Sequence, residues 1–246
     1  MSMGVLVNTD ADINFILDRS GSMMGRENDI IGGFNTFIKE QIDLGENDAF
    51  VSLFQFDDQH QVDYQAVEVK EVKPLDNKTY QPRGSTALLD AIGYAVRRIQ
   101  DRRDKTPPQD LPGKVMVIIM TDGEENDSRE FNKVRIQELI AEKTKEGWGF
   151  LFIGANIDAF HEAAGMGISS RSSSNYSQSS RGIADAYKGI SASVGRSRRS
   201  NLSPSTSLTF TDEEQERLGG KSKVCDPNTG HHVYPHKGCR FEKKIP

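Results

Sequence analysis

Three short stretches of this chain carry oxygen-bearing side chains that could serve one site. In FILDRSGSMMG, residues 15–25, an apolar run ends on Asp18, and Ser20 and Ser22 follow at every second position. KVMVIIM at 114–120 is followed by Thr121, Asp122 and Gly123. RGSTALLDA at 83–91 puts Ser85 and Thr86 just ahead of a helical pattern. Taken alone, Asp18, Ser20 and Ser22 have a plain structural reading, because Asp and Ser cap helices and satisfy loop backbone. Taken together, carboxylate and hydroxyl oxygens without imidazole or thiolate suit a hard cation, Mg2+ first, with Mn2+ or Ca2+ as alternatives. Two carboxylates leave such an ion partly unneutralised, so an incoming carboxylate can displace water from it.

The elements that must position these residues are read from apolar periodicity. INFIL (13–17), AFVSLFQF (49–56), KVMVIIM (114–120) and WGFLFIGA (148–155) are strand-like runs. HQVDYQAVEV (60–69) alternates, as a half-exposed antiparallel edge strand does. Between them fall helical stripes: Ile30, Ile31, Phe34, Phe37, Ile38 and Ile42, then Leu88, Leu89, Ile92, Val96 and Ile99, then residues 130–146 and 158–167. DRRDKTPPQDLPG (101–113) reads as a Pro-rich surface connection. Strands alternating with helices imply an α/β doubly wound sandwich, a mostly parallel sheet with helices on both faces. In such sheets ligands bind beyond the carboxyl ends of the strands, where strand order reverses. Asp18 and Asp122 both follow strands there.

After residue 168 the composition changes. ISSRSSSNYSQSSRG (168–182) is Ser-rich, and it reads as a short edge strand or an irregular loop. IADAYKGISASV (183–194) reads as a last helix, GRSRRSNLSPSTS (195–207) as a linker, and TDEEQERL (211–218) as an acidic helix. The expected organisation is a main domain over 10–200, a linker with a short helix over 201–218, and a Cys/His-rich tail over 219–246.

DRSGS after a strand, GSTAL opening a helix and TDG after a later strand resemble, in that order, the three parts of the metal-ion-dependent adhesion site of von Willebrand factor A-type domains. The resemblance covers about residues 10–200, and its specificity comes from the three motifs together. It implies a Rossmann-like, six-stranded, mostly parallel sheet with one antiparallel edge strand. It also implies that Asp18, Ser20, Ser22, Thr86 and Asp122 surround one divalent cation. The resemblance further implies a protein that grips a carboxylate of a protein partner through the ion, as an adaptor or assembly factor and not as an enzyme. The competing reading, a Mg2+-dependent hydrolase or phosphotransferase, lacks a nucleophilic Asp pair, a P-loop and a Lys–carboxylate set. Arg19 and Arg83 stand beside the ligand candidates. They are either exposed loop-tip arginines or groups that help attract the acidic partner.

Bulk properties bound the remaining classes. A net charge of −5 argues against a broad nucleic-acid or anionic-membrane footprint. GRSRRS (195–200) is the one basic cluster, read as a solvated linker or helix end, with nucleic-acid contact as the alternative. No apolar run approaches the roughly 18 residues of a membrane span. The N-terminal stretch has no basic segment followed by a long apolar one, so the expectation is a cytoplasmic protein. In the tail, Cys225, His231, His232, His236 and Cys239 fall within CDPNTGHHVYPHKGC, a set that suits tetrahedral zinc. A Cys225–Cys239 disulfide and free thiols are the alternatives there. Glu124, Glu125 and Asp127 read as solvated acids, His161 as a core or surface histidine, and Trp148 as packing.

Overall fold

The computed structural model describes residues 8–45 and 48–219. Six strands form one sheet: β1 (Ala11–Asp18), β2 (Ala49–Phe56), β3 (His60–Glu68), β4 (Lys114–Thr121), β5 (Gly149–Gly154) and β6 (Ser173–Asn175). Their spatial order is β3-β2-β1-β4-β5-β6. Every neighbouring pair is parallel except β2 with β3, which is antiparallel. The chain thus grows in one direction from β1 to β3 and in the other from β4 to β6. The switch point lies between β1 and β4.

Period-two alternation in β1 divides the core between the two faces. Ile13, Phe15 and Leu17 pack with Ile30, Phe34 and Phe37 of α1 (Glu27–Asp43) and with Ile183, Tyr187 and Ile190 of α5 (Ser180–Arg199). Ile16 faces the opposite layer, with Leu88, Ile92 and Val96 of α2 (Leu88–Lys105) and Ile136 and Ile140 of α3 (Lys133–Lys145). Phe15 meets the rings of Phe34 and Phe37 edge-on, with centroids 5.4 and 4.9 Å away. The polar residues of β1 are buried with partners: Asp12 pairs with Arg102 at 2.5 Å, Asn14 donates to Asp12 Oδ1, and Asp18 accepts from Ser20 and Thr121. Among the described residues no helix is long and apolar enough to cross a membrane.

Several expectations need correction. α2 does not end at the Pro-rich connection but continues to Lys105, because Arg102 reaches inward to Asp12 and Arg103 donates to the Pro112 carbonyl. Over 195–199 the chain takes the helix-end alternative rather than that of a solvated linker. α5 runs on to Arg199, and Arg198 is buried with its guanidinium on the Gln41 carbonyl. Lys114 donates to the carbonyls of Ser197, Arg198 and Ser200, neutralising the negative end of that helix. Arg196 forms a two-pronged pair with Glu214. The basic cluster is therefore largely committed to the fold.

Residues 201–218, expected as a linker with a short acidic helix, do contain that helix. α6 (Pro204–Ser207) and α7 (Asp212–Leu218) fold back on the domain, and Leu208, Phe210 and Leu218 join the core beside α5. These segments share one hydrophobic core with α1 and α5. Between β5 and β6 lies the short α4 (Ala159–Gly165). Part of the Ser-rich stretch forms the edge strand β6, and Gln215 donates to the Ser173 carbonyl in it at 2.8 Å and to the Ser170 carbonyl in the 3-10 turn before it at 2.7 Å. Polar serines suit a strand whose environment is another segment's side-chain amide.

Candidate metal centre

Parallel register aligns Leu17 with Met120, so β1 and β4 end side by side at the switch point. Asp18 closes β1 and is fully buried. Thr121, at the end of β4, donates its hydroxyl to Asp18 Oδ2 at 2.5 Å, and the Ser20 N–H donates to Oδ1 at 2.6 Å. Tyr80 pins the same turn from below by donating to the Asp18 carbonyl at 2.7 Å. The chain then makes a single 3-10 turn, Gly21–Met23, which brings Ser22 back beside Ser20 with 2.9 Å between the hydroxyl oxygens. Ser22 donates to Asp122 Oδ1 at 2.5 Å, linking the first loop to the β4 loop. Asp18, Ser20, Ser22 and Asp122 thus form one connected set of oxygens, and only Ser22 is exposed.

Thr86 arrives from a third loop. A side-chain carbon on Gly123 would stand 3.0 Å from Thr86 Oγ1 and 3.4 Å from Ser22 Oγ, so both hydroxyls border the space that glycine leaves open. The Thr86 loop packs directly on the serine turn: Gly21 N–H donates to the Gly84 carbonyl at 3.1 Å, and Arg83 N–H to the Arg19 carbonyl at 2.7 Å. Gly84 has φ +67°, and a carbon added there would reach within 2.2 Å of Asp58 Oδ1. Only glycine fits that position without strain.

Glu125 and Asp127, expected as solvated acids, hold this loop in place. Glu125 accepts from the Leu89 N–H at the start of α2, where a carboxylate also complements the helix dipole. Asp127 accepts from the Ser85 hydroxyl at 2.6 Å, and Asn126 exchanges hydrogen bonds with the Thr86 backbone. Asp90 in turn accepts three consecutive backbone N–H groups, from Arg129, Glu130 and Phe131. The sequence carries a trace of this in the run of carboxylate and amide side chains after Asp122, but their partners lie some 36–42 residues away in the chain.

The electrostatics fit a cation. Burial pushes the Asp18 carboxyl up to about 6, against hydrogen bonds from Thr121 and Ser20 that lower it. Burial also raises Asp122, opposed by Ser22 and by Gln178, whose amide donates to Oδ2. The direct partners of both carboxylates are hydroxyls, an amide and a backbone N–H. A dication would supply the charge they lack, and the donor set of hard oxygens matches Mg2+, Mn2+ or Ca2+. Among the described residues no group of three or more His, Cys, Asp or Glu side chains converges to hold a metal, so hydroxyls must complete any such site.

The two arginines divide. Arg19 is buried rather than at a loop tip, with Nε 3.0 Å from Asp57 and Nη1 donating to Gln61, because Asp57 lies beneath it with no exposure of its own. Arg83 also pairs with Asp57, at 2.8 Å, but its side chain is 56% exposed. His161 is an exposed residue of α4, and Trp148 is buried with the Lys143 ammonium over its ring. Gln178, Tyr80 and Asp57 escaped the sequence reading, since none adjoins the three motifs. Cys225, His231, His232, His236 and Cys239 lie outside the described residues.

Against known proteins, the sequence matches the von Willebrand factor type A domain profile over residues 12–186, most of the chain. The chain belongs to the von Willebrand factor type A family. The type A domain also superposes on proximal thread matrix protein 1 from the mussel byssus, with a TM-score of 0.50 and 17% identity over 77% of this chain and 47% of that one. A second form of that protein, with a zinc-occupied adhesion-site motif, gives a TM-score of 0.51 at 17% identity, over 77% of this chain and 47% of that one. Manganese-loaded TRAP protein of Plasmodium vivax aligns at 20% identity with a TM-score of 0.47, over 70% of each chain. The chain spans about half the length of the mussel structures it matches. No curated protein sequence matches it.

Proposed function

We propose that this type A domain is a divalent-cation-dependent protein-interaction module. Asp18, Ser20, Ser22, Thr86 and Asp122 hold one Mg2+, and the ion captures an Asp or Glu carboxylate of a protein partner. Mn2+ and Ca2+ are the alternative ions, and the zinc held by the mussel protein in its own adhesion-site motif extends the list. The observation that carries this reading is the meeting of Ser20, Ser22 and Asp122, from two loops, in one hydrogen-bonded oxygen set, with the Thr86 hydroxyl across the space beside Gly123. The ion supplies a Lewis-acidic contact for an anionic ligand. The chain's own residues orient the oxygens, exclude bulk water beneath them and leave the Ser22 side open.

In this account Arg83 contributes at the rim, where its exposed guanidinium adds positive charge near an arriving carboxylate. Arg19 keeps the loop in shape from below through Asp57. Capture of partners on immobilised full chain in Mg2+, in EDTA, and with Asp18→Ala in Mg2+ tests the proposal. Partners held by the wild type in Mg2+ and released in both other conditions support it. Partners retained equally in all three contradict it.

A further inference from the structure

Asp122 is held by two donors from different parts of the chain, one on each carboxylate oxygen. Ser22 donates to Oδ1, and the Gln178 carboxamide donates to Oδ2. We propose that Gln178 is the positioning residue of the cation site: it pins one oxygen of Asp122 so that the other stays turned toward the serine hydroxyls. This inference rests on the cation reading above.

The carboxylate torsion of Asp is broad and only roughly two-fold, so one hydrogen bond leaves the plane of the group poorly fixed. A second donor on the other oxygen removes that freedom. Gln178 is itself on anchored backbone. Two residues earlier, Tyr176 N–H donates to the Gly154 carbonyl at the end of β5. One residue later, Ser179 caps α5 by accepting from the Gly182 N–H at 3.1 Å. Gly182 lies so close to Ser177 that an added carbon would fall 2.1 Å from its carbonyl oxygen. The segment around Gln178 is therefore tied to both the sheet and the helix. The chemistry of the side chain also suits the role. A carboxamide donates without bringing a positive charge that would compete with a dication, whereas Lys or Arg at this position would repel it. Hydrogen bonds that orient metal ligands are commonly worth ten- to a hundred-fold in affinity.

Mn2+ binding to the full chain, titrated by electron paramagnetic resonance, tests the role with Gln178→Met and Gln178→Ala. Methionine keeps the length and much of the volume but donates nothing, so it separates the hydrogen bond from packing. Both variants are expected to lose about ten-fold or more in Mn2+ affinity while melting in EDTA like the wild type. Affinity of Gln178→Met within about two-fold of wild type would overturn the role, and tighter binding would do so as well, by showing that the amide competes with the ion. Absence of Mn2+ binding by the wild type, or binding undiminished by Asp18→Ala, would overturn the cation reading beneath it.

Discussion

At the residue scale, the loop below the site depends on one carboxylate. Asp57 is fully buried between two guanidiniums, Arg19 at 3.0 Å and Arg83 at 2.8 Å, and its backbone carbonyl accepts from Ala87 N–H beside Thr86. Removing it leaves Arg19 as an uncompensated buried charge, the costly way to break such a pair. Asp57→Ala is expected to lower the unfolding free energy by about 3–5 kcal/mol in urea denaturation. Arg83→Ala is expected to cost far less, because that guanidinium is mostly in water. Equal losses for the two would contradict the assignment of Arg19 to structure and Arg83 to the rim. The five oxygen residues could be picked out as candidates from the sequence because each motif is short and local. The Asp57 pair, Tyr80 and Gln178 were not, because their partners are set by which loops the topology brings together. Gln178 sits in SNYSQSS, where nothing in composition or period distinguishes it from its neighbours.

At the element scale, strands and helices with strong apolar periodicity were legible to within a few residues, and β3 was correctly read as the antiparallel edge. Legibility failed where polar side chains do the packing. β6, which the sequence left open between an edge strand and a loop, carries buried Ser173 and Ser174 with the Ser173 carbonyl covered by Gln215, and α5 carries Arg196 and Arg198 as tertiary partners rather than as a solvated run. α7 is locally specified by a capping box, with Thr211 and Glu214 exchanging hydrogen bonds across its first turn. Glu214 then reaches on to Arg196. Burial alone would raise its carboxyl, but the Arg196 fork and the Thr211 N–H outweigh this and hold it below the usual 4.5. A carboxyl lowered by folding adds stability above its unfolded pKa and loses that contribution as pH falls through the folded value. Glu214→Gln should therefore be less stable than wild type at neutral pH, and the difference should shrink as pH drops below 4.5. Chemical denaturation across that range measures it, and a gap that widens with acidification would refute the pairing.

At the scale of the whole molecule, the sheet order explains why the candidate site stands where it does. β1 and β4 are neighbours that send their connections to opposite sides, so their carboxyl ends open a gap that no crossover covers. Asp18 and Asp122 occupy that gap, and the loop leading into α2 brings Thr86 across it. Topology of this kind follows from the alternation of strands and helices, which is why the place of the candidate site in the sheet could be proposed without knowing its geometry. An ion bound there stabilises only the folded chain, by about 2.7 kcal/mol at a hundred-fold excess over its dissociation constant. The most direct test of the central claim is calorimetric titration of Mn2+ into the full chain, with Mg2+ as competitor, beside Asp122→Ala. About one ion per chain should bind to the wild type and be displaced by Mg2+, with no saturable binding to the variant. An isotherm unchanged by Asp122→Ala, or no saturable binding to the wild type, would contradict it.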